Sequence, residues 1–371
     1  MSEDASIQRI ARLTPLDAVL ARIAAQVGAV PPRKVPVAAA RGATLAEDVV
    51  AAARPSQPIA LRDGFAVPAA AVADAGPYAP VRLPLAACRI DVGQPLPRGV
   101  DAVLPPDAVA LHGDRAEAVA AAAAGEGVLA AGGDATPQWP LRRAGERLRA
   151  LDIAAIGAAG VAEVAIRAPR LSTVRGGTAG SPLLDAALAW LTRAAAEAGA
   201  AATATAVPLD AALTDADDDA VIAVGGTGSG RRDSSVQTLA RLGRLETHGI
   251  AISPGETAAF GFVGPRPVLL IPGRFDAVLA VWLLLGRHLV ARLAGGGVAD
   301  IPQLMPLRRK VASPLGLTEL IPVSCAGSLA EPLASGYLSL TALARSDGWI
   351  AVPPDSEGFA AGTQVAVQPW P

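Results

Sequence analysis

The sequence predicts a multi-domain α/β protein: a central α/β domain, a helical linker domain, an inserted small β-domain and a C-terminal β-barrel-like domain. Three observations carry that prediction. The chain has 371 residues, too many for one ordinary core and enough for roughly two to four compact units. From about Pro169, strand-like apolar runs alternate with helically spaced ones in the α/β manner. Before and after that region lie Pro- and Gly-rich stretches whose short apolar runs are broken by frequent turns, as in small β-domains.

Taken in order, residues 12–53 and 135–166 read as the helical linker. Leu16, Val19, Leu20 and Ile23 recur at helical spacing, and Thr14-Pro15 reads as an N-cap followed by Pro at the first helical position. Further helical patterns lie at residues 42–50 and 152–160. Helical signals thus flank residues 54–134, which read as an inserted β-domain. Residues 167–297 form the α/β stretch. Strands are expected at Arg170–Arg175, 202–207, Ala220–Val224 and 268–271. Ser181-Pro182 caps a helix that ends at Gly199, and helices follow at 233–242 and 276–293. Residues 298–371 alternate with period two between Pro and Gly turns, as a small β-barrel or sandwich does.

Composition narrows the function. Hydrophobic residues make up 51% of the chain and aromatics only 3%, so the cores are built from Ala, Val and Leu. A net charge of −2 gives no basic footprint for nucleic acid and no polybasic membrane anchor, which leaves small molecules or other proteins as partners. Lys34 and Lys310 are the only lysines, so lysine chemistry has just these candidates. Cys88 and Cys325 lie in no Cys-x-x-Cys or Cys/His pattern and are expected as buried free thiols of a reducing compartment. The first residues lack a signal-peptide pattern. The longest apolar run, 277–285, falls short of the ~20 residues that span a bilayer. A cytoplasmic protein is expected.

In open parallel sheets, ligands bind beyond the carboxyl ends of the strands. Two loops hold that position here, residues 225–233 and 272–276. The first carries Gly225, Gly226, Thr227, Gly228, Ser229 and Gly230, then Arg231, Arg232 and Asp233. The second carries Pro272, Gly273 and Arg274. Glycines let consecutive N–H groups converge on an anion, and the helix that follows presents its positive end. Three guanidiniums beside such a nest favour phosphate or carboxylate. The other reading is a tight strand–helix turn with its arginines in solvent. Asp63, before Gly64, reads by itself as an Asx-turn. His112, His248 and His288 read as structural or surface residues, and Asp215, Asp217, Asp218 and Asp219 as a solvated loop.

Together these segments resemble the molybdopterin molybdenumtransferase family, the MoeA proteins and the gephyrin E domain, in order over roughly residues 12–371. Asp63-Gly-Phe-Ala-Val67 is similar to MDGYAV, and the segment from Gly93 to Val103 to TGAPLPEGADAVV. Gly132-Gly-Asp134 stands at GED, residues 225–233 at GGVSVGDYD, Ala251-Ile-Ser-Pro-Gly255 at AMKPGKP and Ile271-Pro-Gly273 at LPGNP. Residues 144–148 and 156–161, then 346–353 and 361–367, continue the match. The resemblance implies an elongated four-domain subunit, a homodimer, and a cleft for adenylylated molybdopterin with Mg²⁺ and molybdate. The loop residues named above, with Pro254 and Gly255, would hold the cofactor. Asp63, Asp134 and Asp233 would be what remains of the catalytic polar set. A molybdoenzyme or another cofactor-assembly protein is the implied partner.

Departures from the family pattern fall within the chemistry. Val92 replaces a Thr, Gly133 a Glu, and Thr178 stands at an acid. Ser253 and Glu256 replace both lysines of KPGK, Tyr337 replaces a Ser, and Arg231, Arg232 and Arg274 replace Asp, Tyr and Asn. Nucleotide cleavage with a divalent ion needs carboxylates to place the metal and cations to take up developing charge. Loss of one such contact costs about 10²–10³ in rate. The resemblance, read with these departures, therefore implies pterin binding in molybdenum-cofactor biosynthesis, with molybdate insertion weakened. A non-catalytic carrier or assembly scaffold and a different nucleotide-linked anion remain open alternatives.

Overall fold

The computed structural model of the protein describes residues 8–84, 89–113, 115–177, 181–215, 217–298 and 301–371. Val- and Ile-rich runs bounded by glycine form the central sheet, since β-branched side chains suit a pleated surface buried on both faces. Its strands lie in the order Ala201–Thr205, Arg170–Arg175, Ala220–Val224, Arg266–Ile271, Ala259–Val263, Arg244–His248. Four are parallel. Ala259–Val263 runs antiparallel to both of its neighbours, Arg266–Ile271 and Arg244–His248, so the sheet is mixed where the sequence pattern points to parallel strands alone.

Helix Pro182–Glu197 begins where Ser181 Oγ accepts from Leu184 N (3.2 Å). It buries Leu184, Ala187 and Leu191 in the main core. The predicted helix at 276–293 is a continuous run with a change of pitch: Phe275–Val281 and Arg287–Leu293 flank a π-helical turn, Trp282–Gly286. A Cβ on Gly286 would overlap the Trp282 indole. Helix Leu16–Gln26 starts after Pro15, which holds the N-cap position itself, while Thr14 bridges to Ile250. Its Leu16, Val19 and Ile23 join the same core.

In the linker, Arg33–Pro36, Glu163–Arg167 and Thr44–Leu45 pair as an antiparallel sheet beside helix Ala150–Ala158. Residues 42–50 are extended and turn-like, not helical. Gly42 has φ +79°, and the Val49 N–H is taken by Arg142 O (2.8 Å). Partners about a hundred residues away therefore satisfy a backbone whose local spacing resembles a helix.

The inserted region holds two three-stranded sheets around Phe65, Val67, Leu83, Leu104 and Val109. In the last region a six-stranded sheet runs Ile252–Ser253, Thr318–Ala326, Gly348–Val352, Gln364–Pro369, Gln303–Pro306, with Leu329–Pro332 alongside. Cys325 is half-buried rather than buried, and burial still pushes its thiol above the ordinary range. Cys88 and Thr178 lie outside the described residues. No helix among the described residues is long and apolar enough to cross a membrane.

Candidate functional site

Loops leave the carboxyl ends of three neighbouring parallel strands and meet at that end of the sheet. Gly176 and Gly177 follow Arg170–Arg175, Gly225 and Gly226 follow Ala220–Val224, and Pro272 and Gly273 follow Arg266–Ile271. Gly176 N donates to Val224 O and Gly225 N to Ile271 O, both at 2.8 Å. A Cβ on Gly273 would lie 3.4 Å from Gly225 Cα. Gly225 and Gly226 have φ of +100° and +74°, a region that glycine enters without a steric cost. The buried Ser235 hydroxyl lies 2.6 Å from Gly176 O and 2.8 Å from Gly225 O, tying two loops to the start of helix Ser235–Leu242.

Further round the loop, Thr227 is only 1% exposed. Its Oγ1 shares a hydrogen bond with Thr257 Oγ1 (2.9 Å), and its carbonyl accepts from His248 Nε2 (3.0 Å). His248 thus supports the loop, a structural role. Gly230 N donates to Asp233 Oδ2 (3.0 Å). Between these anchors, the N–H groups of Gly226, Thr227, Gly228 and Ser229 donate to no protein group among the described residues. Ser229, Arg231 and Arg232 are exposed. Consecutive unpaired amides with two guanidiniums on the same loop can hold a phosphate or carboxylate.

Arg274 sits differently from the sequence expectation. Its Nε donates to Asp276 Oδ1 (3.0 Å) and its Nη2 to Oδ2, while the guanidinium lies 5.1 Å over the Tyr337 ring. Asp276 is 2% exposed and also accepts from Leu338 N (3.2 Å). That hydrogen-bonded carboxylate holds the Arg274 guanidinium above the usual arginine range. Pro254 and Gly255 are buried, and Glu256 Oε2 accepts from Gly255 N (3.1 Å).

The acids do not gather. Asp63 accepts from Val92 N (2.7 Å) in the inserted region. Asp134 is exposed, its N–H held by Arg54 O (2.9 Å). Asp233 belongs to the glycine loop. Among the described residues, no group of three or more His, Cys, Asp or Glu is placed to hold a metal ion. Within one chain these carboxylates do not fit a divalent ion, and no metal step follows from them. Asp219, expected in a solvated run, instead accepts from Arg170 N (2.7 Å) and pairs with its guanidinium.

Two residues that sequence reasoning left out are central to the loop. Ser235 could have been noticed as the first residue of a helix behind a glycine loop. Gln8 gave no signal. Its Oε1 accepts from Val236 N (2.9 Å) and Gln237 N (3.1 Å), and its Nε2 donates to Gly226 O (3.1 Å) and Gly228 O (2.8 Å).

Family models match three successive stretches of the chain. Residues 14–160 match the MoeA N-terminal region (domain I and II), residues 180–292 the "Probable molybdopterin binding domain", and residues 305–370 the MoeA C-terminal region (domain IV). A Methanocaldococcus jannaschii protein named for molybdopterin biosynthesis is 30% identical over 153 residues, 41% of this chain and 36% of that protein. The match thus spans little more than a third of that curated relative. A crystal structure of a molybdopterin biosynthesis moeA protein from Pyrococcus horikoshii superposes with a TM-score of 0.80 at 22% identity, over 97% of this chain and 100% of the other. A second structure named for the same biosynthesis, also from Pyrococcus horikoshii, gives 0.76 at 25% identity, over 96% and 99%.

Proposed function

This chain belongs to the MoeA family, and we propose from that premise that it serves molybdenum-cofactor biosynthesis by binding molybdopterin, in its adenylylated form, at the glycine loop. The observation that carries this reading is the row of amides at Gly226, Thr227, Gly228 and Ser229, which donate to no protein group among the described residues. It lies within the stretch that matches the molybdopterin-binding model. A phosphate seated there accepts from the amides, and Arg231 and Arg232 neutralise its charge. Pro254, Gly255, Pro272, Gly273 and Arg274 complete the surroundings. The division at residues 54–134, 167–297 and 298–371, with the linker at 12–53 and 135–166, is part of the same proposal. So is a homodimer in which a partner's domains face the loop.

A second reading, a non-catalytic carrier or assembly scaffold for a molybdoenzyme, is favoured by one observation. Arg274 is committed to Asp276 and Tyr337, while Ser253 and Glu256 stand at the lysine positions of the family pattern. Arg231 and Arg232 stand exposed to hold a phosphate, but the lysine positions and Arg274 offer no uncommitted cation to stabilise a departing one.

Titration with molybdopterin tests the binding. Replacing both Arg231 and Arg232 by Ala should weaken it about tenfold or more. No binding by the unaltered protein would overturn the pterin reading. Incubation with adenylylated molybdopterin, Mg²⁺ and molybdate, with AMP release measured, tests the chemistry. Release at enzyme-like rates would overturn the carrier reading and leave the binding site standing.

A further inference from the structure

Helix Ser235–Leu242 has no cap of its own: Ser234 stands at the N-cap position and its side chain makes no capping bond. The capping acceptor comes instead from Gln8, which is 8% exposed and lies at the other end of the sequence. Its Oε1 takes the N–H groups of Val236 and Gln237, the donors that a local N-cap side chain would satisfy. A strap carries it there. Thr14 N donates to Gly249 O (2.9 Å), Ala251 N to Thr14 O (2.8 Å), and a side chain at Gly249 would overlap Ile10.

The other end of the same amide acts on the loop. Nε2 donates to the carbonyls of Gly226 and Gly228. In a trans peptide the C=O and the following N–H point in opposite directions. Turning those carbonyls toward Gln8 therefore turns the N–H groups of Thr227 and Ser229 away from it. His248, holding the Thr227 carbonyl, does the same for the N–H of Gly228. One buried amide thus caps the helix and orients the N–H groups of Thr227 and Ser229, using its acceptor for the first task and its donors for the second.

We propose that Gln8 is a positioning residue for the anion site: it aligns the backbone amides of Thr227 and Ser229 before any ligand arrives. This deepens the reading of the glycine loop as a phosphate site and rests on it. Gln8→Glu separates the two tasks, because a carboxylate still caps Val236 and Gln237 but cannot donate to the Gly226 and Gly228 carbonyls. Gln8→Ala removes both.

The experiment titrates unaltered protein, Gln8→Glu and Gln8→Ala with molybdopterin and with inorganic pyrophosphate. Melting temperature and tryptic cleavage after Arg231 and Arg232 are followed in parallel. Gln8→Glu keeps the helix cap but buries an unpaired oxygen against two carbonyls, so it should melt lower, bind both probes about tenfold or more weakly, and be nicked faster at the loop. Gln8→Ala should show the same losses, and it too should melt lower. Unchanged binding in Gln8→Glu would reduce Gln8 to a helix cap and overturn the proposal. Tighter binding in Gln8→Ala would make Gln8 an occluding group and overturn it as well. If the unaltered protein binds neither probe, the pterin reading fails. The proteolysis then decides: faster nicking in Gln8→Glu upholds the alignment of the loop by Gln8, and equal nicking rejects it.

Discussion

Arg274 and Tyr337, both substitutions against the family pattern, meet over one buried acid. The Tyr337 ring receives the guanidinium on its face, an arrangement worth about 0.5–1 kcal/mol at an exposed site. Asp276 beneath them is buried, whereas the Arg274 side chain is 57% exposed, so the partners should not contribute equally. Asp276→Ala removes the acceptor for Arg274 and for the buried Leu338 N–H, and should cost about 2–4 kcal/mol in urea unfolding. Arg274→Ala leaves that carboxylate with the N–H groups of Ala277 and Leu338. It should cost only about 1 kcal/mol, since water already screens the guanidinium. The reverse order would mean that the ion pair, not the acceptor, holds this corner together.

Among the elements, helix Ala150–Ala158 shows a side chain working through its charge. Asp152 accepts from Arg149 N (2.8 Å) and from the Arg149 guanidinium (3.0 Å) at the first turn. The hydrogen bond from the Arg149 side chain holds its carboxyl below the usual range. A depressed folded pKa stabilises the native state above the unfolded carboxylate value of about 3.9, and the gain is lost as pH falls through the folded value. Asp152→Asn should therefore melt lower at neutral pH, by an amount near the ~1 kcal/mol of a cap. The gap should narrow below about pH 4; an equal gap at both pH values would assign the effect to packing. This helix was legible from local spacing, as were Pro182–Glu197 and Ala220–Val224 with the glycines after it. Such elements carry their determinants within a few residues. The antiparallel pair Arg244–His248 and Ala259–Val263 was not, because one strand is polar and a bulge breaks its register between Leu245 and Thr247. Residues 42–50 misled for the opposite reason: helical spacing locally, strand partners far away. In the site, the glycine loop was legible. Gln8 was not, since a single polar side chain bonding across more than 200 residues leaves no periodic trace.

Taken as a whole, the molecule is joined more tightly at one end than at the other. Ile252–Ser253, from the α/β stretch, pairs in parallel with Thr318 and Glu319 and so forms an edge of the last region's sheet. Leu320, Leu338 and Trp349 share a core with Ile271, Trp282 and the helix Leu16–Gln26, and Arg287 lies 5.4 Å over the Trp349 ring. The inserted region has a core of its own around Phe65 and Leu104. Regions that share buried apolar surface unfold together, and a region with a separate core can unfold by itself. Calorimetry should accordingly resolve two transitions. Phe65→Ala, at a position 3% exposed, should lower one of them by the equivalent of about 3–5 kcal/mol and leave the other in place. Leu320→Ala should move the other, carrying the glycine loop and the last region with it. Proteolysis after each transition would identify the parts. If Phe65→Ala shifts both transitions together, the inserted region is coupled to the rest through its stem at residues 54 and 135, where Arg54 N meets Ala135 O. Asp63 and Asp134 would then answer to the stability of the α/β core, 0% exposed at Ile222 and Leu269, and not to that of the inserted core alone.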